Sequence, residues 1–153
     1  MSRVLVSMML LLFCAGCHAD RDALHNYLTV DYPRLTAGSD AVVLAFSQIF
    51  SASNTREERL AALERDVIAP YRKVIVRLRA HEGEGEGVTG RHVEWVTIAE
   101  RQLAAFEAAR GAVRDGVPMD HVRELLGFVR RDAATWQAAV ATDAEAAGLR
   151  IQR

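Results

Sequence analysis

Five histidines and two cysteines carry most of the coordination and nucleophilic chemistry that this sequence could offer. His81 and His92 flank the stretch 81–90, HEGEGEGVTG, with Glu82, Glu84, Glu86 and Glu94 beside them. Imidazole combined with carboxylate suits zinc or copper, and the short connection would bring both histidines to one end of a helical hairpin. Alternating glycine and glutamate reads as a mobile acidic loop, however, so such a site would not be preformed. The plainer reading is two solvated histidines at helix ends. Paired Glu-x-x-His motifs on facing helices are the ligand pattern of two-metal bundles. Here the acid-x-x-His spacing occurs once, at Asp22 and His25, with no second copy. The chain has no glycine-rich phosphate loop and no G-x-S-x-G elbow. The expectation is a non-enzymatic protein with no resident metal or cofactor.

Both cysteines lie in Cys14-Ala15-Gly16-Cys17, which follows Arg3 and an apolar run over residues 4–13. A run of ten residues, apolar but for Ser7, is too short for a hydrocarbon core of ~30 Å, which needs about 20, and it fits the apolar stretch of an export signal. Residues 11–13, Leu-Leu-Phe, give ordinary signal peptidase no small side chains. Over residues 1–17 the sequence instead resembles the bacterial lipoprotein signal, whose lipobox places a small pair before a cysteine. Cys14 stands where that pattern commonly has leucine. The resemblance implies a diacylglycerol thioether on Cys17, cleavage just before it and acylation of the new amine. It divides the chain into a signal peptide (1–16), a lipidated cysteine and tether (17–23) and a helical domain (24–153). Cys14 would leave with the signal and Cys17 would be blocked, so no thiol would remain, which suits an oxidising envelope. Several acyl chains on one residue anchor stably where a single chain binds marginally. Because His18 and not aspartate follows the cysteine, the resemblance implies the outer membrane, with the domain in the periplasm.

The same residues, with His18, also spell C-x-x-C-H, the attachment motif of c-type haem. There both cysteines would form thioethers and His18 would ligate iron. Against it, Cys14 abuts the apolar run, so a cut that keeps Cys14 must follow Leu12 or Phe13. No helix precedes the motif to wall the haem.

The elements behind these residues read as helices. Half the chain is apolar, a quarter is charged, and the net charge of −1 argues against a nucleic-acid partner. Arginine is abundant and Lys73 is the single lysine. Apolar residues recur at three- and four-residue steps in four segments. The first, 20–51, carries Leu24, Leu28, Leu35, Val42, Ala45 and Ile49, with Tyr27 and Phe46 beside the stripe; it reads as one helix bent at Pro33. The second carries Leu60, Leu63, Val67, Tyr71, Val74 and Leu78, opens on an Asn54–Glu57 cap and bends at Pro70. The third, capped by Thr89, carries Val93, Val96, Leu103, Phe106 and Val113 and stops at Gly116. The fourth has Pro118 in its first turn, carries Val122, Leu125, Leu126, Val129, Trp136, Ala139 and Val140, and ends near Gly148. Segments of about 28 residues span about 42 Å each, and short connections give an all-α, up-down four-helix bundle.

Asp31, Glu100, Arg110 and Asp132 fall on or beside the apolar stripes, where the plainer reading puts them at the edge, in water. Trp95, Phe106, Trp136 and Tyr71 read as core. Arg72, Lys73, Arg77 and Arg79 read as a solvated face. Together these expectations describe an envelope lipoprotein whose helix faces, or whose Glu-Gly loop end, meet another envelope protein. The alternative is a bundle that binds a small ligand or a metal.

Overall fold

The computed structural model of the protein describes residues 20–51, 54–83 and 85–149. Among the described residues the chain is all-α, without strands. Five helices follow one another: α1 (20–35), α2 (Ser39–Ser51), α3 (56–80), α4 (Glu86–Asp115) and α5 (Asp120–Ala146). Helix already runs at residue 20, inside the stretch read as tether.

Two prolines shape α1 and α3. A proline within a helix has no N–H to donate, and its ring clashes with the carbonyl four residues back. Both helices answer with a π turn just before the proline. The N–H of Tyr32, preceding Pro33, reaches Tyr27 O across the π segment Tyr27–Asp31. The N–H of Ala69, preceding Pro70, reaches Glu64 O across Leu63–Ile68. One residue is accommodated in each turn, and the helix continues through the proline.

The first segment therefore does not end at Pro33. It breaks three residues later, at Thr36–Gly38, so the single bent helix expected over 20–51 is two helices. Gly38 takes φ +90°, a conformation that suits glycine because it has no Cβ. Arg77 of α3 donates to Leu35 O and, at 2.6 Å, to Ala37 O, satisfying carbonyls that the break leaves unpaired.

Three other boundaries shift from expectation. The cap of α3 is the Thr55–Glu58 box, with Thr55 Oγ1 accepting from Glu58 N–H and Glu58 accepting from Thr55 N–H. Helix α4 begins at Glu86 rather than after Thr89, so residues 86–90 of the Glu-Gly stretch are helical. Pro118 lies outside α5, which opens at Asp120. The stop at Gly116 is as expected, in the left-handed conformation, with Val117 N–H reaching Ala112 O.

Contacts fix the helix directions. Along α3 and α4 the bonded pairs run Glu64–Arg110, Tyr71–Gln102 and Arg79–Glu100, one number rising as the other falls, so these helices are antiparallel. Pairs Arg91–Asp143 and Arg101–Asp132 make α4 and α5 antiparallel likewise. Helix α1 opposes α3 through Arg77 and Leu35, and runs parallel to α4 through Tyr27–His92 and Tyr32–Trp95. The core centres on α3, where Leu63, Val67, Ile68, Tyr71 and Leu78 are sealed from solvent against Tyr27, Phe106 and Trp136. Burying each aliphatic side chain contributes roughly 1.5–3 kcal/mol. Ala99, Ala105 and Ala109 on α4 are also buried.

The glycines give a paired test. A Cβ at Gly38 would meet nothing within 4 Å, so Gly38→Ala strains only the backbone, and the expected loss is about 1–2 kcal/mol. Gly111 sits within α4 with equally open space, and Gly111→Ala is expected to stabilise by about 0.5–1 kcal/mol. Urea unfolding of both variants checks the opposite signs; stabilisation by Gly38→Ala would sink the account of the break.

Candidate functional site

Cys17, the proposed lipid acceptor, and Cys14 and His18 of the competing haem motif lie outside the described residues. The nearest described residue is Asp20. It lines an open groove of about 390 Å³ with Arg21, Leu24, Val88, Asp143, Ala146 and Ala147, which places the start of α1 beside the start of α4 and the end of α5.

At this same end the structure brings His81 and His92 together, with ring centroids 5.0 Å apart. Solvation was the plain expectation for both, and His92 departs from it. It is 3% exposed, because α4 starts early enough to carry it between α1 and α3. Both of its ring nitrogens are engaged. Leu78 O, 2.8 Å away, can only accept, so Nε2 carries the hydrogen. Nδ1 then presents its lone pair to the Tyr27 hydroxyl at 3.0 Å, and Tyr27 donates. Burial, chiefly, holds His92 below the usual histidine range; its bond to Leu78, the His81 backbone and Asp31 oppose this, and the His81 ring adds to it. Burial likewise pushes the Tyr27 hydroxyl well above the usual tyrosine range.

His81 stacks on Tyr27 at 6.0 Å between centroids. Its Nε2 is enclosed without a hydrogen-bond partner, 4.0 Å from Asp31 Oδ2. Asp31 also accepts from Asn26 and pairs with Arg34. A metal held by both histidines would have to displace Tyr27 from His92 Nδ1. Among the described residues no group of three or more His, Cys, Asp or Glu is placed to hold a metal ion.

The charged residues near the apolar stripes sit mostly at the edges. Arg110 bonds Glu64, Glu100 pairs with Arg79 and Asp132 with Arg101, all partly in water. Of the basic run on α3, Arg72 bridges Glu64 and Glu107, Arg77 holds the carbonyls at the α1 break and Lys73 is exposed. The aromatics are core in two groups. Tyr32 stacks on Trp136 at 5.2 Å, and Trp95 packs on both. Tyr71 meets Phe106 edge-on, with Phe46 and Phe50 behind.

Two further open grooves lie on the surface. One of about 590 Å³ runs between α2 and α3 past Ala45, Ile49, Glu58, Ala62 and Arg65. Another of about 400 Å³ crosses α4 and α5 over Trp136, between Arg91 and Arg101.

The residue that sequence reasoning undervalued is Tyr27, placed beside the stripe and found at its centre. The available signal was Pro33 six residues on, because accommodating it rotates the preceding turn. Tyr27→Phe would leave the buried Nδ1 of His92 without a donor, at an expected cost of about 1–3 kcal/mol. Arg101→Ala, which breaks a mostly solvated pair with Asp132, is expected to cost less than about 1 kcal/mol. Urea midpoints of the two variants decide; equal losses would remove the special standing of the Tyr27–His92 bond.

Compared with protein-family models, with curated proteins and with solved structures, the chain matches none.

Proposed function

We propose that this chain is a lipid-anchored domain of the bacterial cell envelope, attached through Cys17 and non-enzymatic, which presents its helix faces to another envelope protein. The observation that carries the reading is the run from Arg3 through the apolar stretch 4–13 to Ala15-Gly16-Cys17. Among the described residues no helix is long and apolar enough to cross a membrane. In this reading the acyl chains on Cys17 supply the attachment, on the outer membrane with the domain in the periplasm.

The reading also orients the molecule. Helix is under way three residues after Cys17, so the end that holds the start of α1, the 81–85 connection and the end of α5 faces the bilayer. At 1.5 Å per residue the 30 residues of α4 carry the opposite end about 45 Å away. We take α1 and α2 as one broken arm beside α3, α4 and α5, an up-down bundle of four arms. The antiparallel pairs α1–α3, α3–α4 and α4–α5 support this. Leu44, exposed on α2 one turn before the groove residue Gln48, supports that face as the partner surface.

Cys17→Ser tests the anchor. The native chain is expected in the membrane fraction, with a mass equal to residues 17–153 plus one diacylglyceryl group and one amide-linked acyl chain, while the variant accumulates unprocessed. Normal processing and membrane retention of Cys17→Ser would overturn the reading. A Soret band with both cysteines retained would replace it with the haem reading.

A further inference from the structure

We propose that α1 is a proton-released arm, held on the bundle by the Tyr27–His92 hydrogen bond and freed to pivot at the 36–38 break when His92 takes up a proton. The inference stands apart from the anchor and can be read on the full chain whatever residue 17 carries.

The attachment of α1 includes a side chain whose hydrogen bond depends on protonation. Over 20–35 Leu24, Tyr27 and Leu35 are buried and Ala23, Leu28 and Tyr32 partly so, and Tyr27 is the one of these that holds α1 through a buried side-chain hydrogen bond. The pivot is already built, because residues 36–38 are non-helical and Gly38 holds a conformation outside the helical range. Arg77 grips that break from α3 and leaves the α1 residues before Leu35 to their own contacts.

The switch is the exchange of an acceptor for a donor. Neutral His92 donates from Nε2 to Leu78 and accepts at Nδ1 from Tyr27. Protonation places N–H on Nδ1, facing the O–H of Tyr27. The tyrosine must then turn its proton away inside a site where it is 1% exposed, or leave. The groups around His92 do not accommodate the new charge. From α1 come Tyr27 and Asp31; Asp31 favours the charge but is shared among Asn26, Arg34 and His81. Burial opposes it most and the His81 ring, 5.0 Å away at the end of α3, adds to that, against the Leu78 and His81 backbone groups, which favour it. Asp143, which α5 brings to this end, is held by Arg91.

The sign follows from the lowered proton affinity of packed His92. Above the ordinary histidine value of 6.5 both the packed and the released arm hold His92 neutral, and the latch is fully in force. As pH falls below 6.5 the released arm takes the proton first. Release then gains by at most about tenfold per pH unit, until the lowered value is passed. The arm is closed at neutral pH and opens in acid.

Hydrogen–deuterium exchange on the full chain, with EDTA present and intrinsic rates corrected for pH, tests this. From pH 7.5 to 5.0 the amides of 22–35 are expected to lose protection several-fold, while those of α4 and α5 keep theirs. His92→Gln is expected to abolish the pH response of α1, and His81→Gln to retain it. Unchanged α1 protection, a response that survives His92→Gln, or simultaneous loss across all helices would each overturn the proposal. Should His92→Gln fail to fold, Tyr27→Phe serves instead: α1 is expected to lose protection already at pH 7.5, and wild-type protection there overturns the latch.

Discussion

A proline inside a helix must give up a backbone hydrogen bond, and most of what is particular to this molecule follows from how α1 and α3 absorb that loss. At 100° per residue an α-helix would set Tyr27 and Tyr32 about 140° apart around its axis. The π turn before Pro33 narrows that angle, and both rings pack inward, 6.3 Å apart. One reaches His92 and the other stacks on Trp136. The π turn before Pro70 does the same for Leu63, Val67 and Ile68, all sealed from solvent. Without those turns α1 would offer either tyrosine to the core, but not both.

The buried polar chain is the second consequence. A histidine sealed among aromatic rings is expensive unless each nitrogen has a partner. Here the partners come from separate helices: the Leu78 carbonyl from α3 and the Tyr27 hydroxyl from α1. The Leu78 carbonyl is available because α3 is ending. His81 N–H already reaches back to Leu78, and α3 stops there, so a final-turn carbonyl has capacity for the imidazole. The end of one helix, the early start of the next and the π turn of a third thus meet at a single ring.

Much of this could be read from periodicity, and the failures have physical causes. Leu24, Leu35, Val42 and Ile49, and on α3 Val67, Tyr71, Val74 and Leu78, fall on the expected stripes and are buried. Leu28 was assigned to the stripe and is only half-buried, while Tyr27 is central, because a template of 3.6 residues per turn cannot register the extra residue of a π turn. The cap at Asn54 missed by one residue because Asn54–Glu57 and Thr55–Glu58 satisfy the same spacing. The early start of α4 was hidden by Gly87 and Gly90. Helical glycine costs roughly 0.5–1 kcal/mol each. Burial of Val88 and the pairing of His92 offset that, and neither is visible before the chain is folded. Nothing in the spacing of two histidines eleven residues apart separates a solvated pair from a buried one.

The end of the bundle where these features meet is also the end where the described chain begins, at Asp20, and in the anchored reading that gives the fold a direction. In the anchored reading any load on the domain enters through α1, passing Leu24 and Tyr27 before it reaches the break at Gly38 and the arginine that grips it. Elsewhere α4 packs along α5, and α3 against both α2 and α4. The first arm is tied by one polar bond from Tyr27, by Tyr32 against Trp95 and Trp136, and by Leu24 and Leu35, with Ala23 and Leu28 partly buried beside them. A chain that needed only to hang a rigid bundle from a membrane would gain nothing from placing a buried imidazole at that tie. An apolar pair of similar size would hold α1 equally well at every pH. The polar chain makes the attachment conditional, and the condition is the protonation state of one ring.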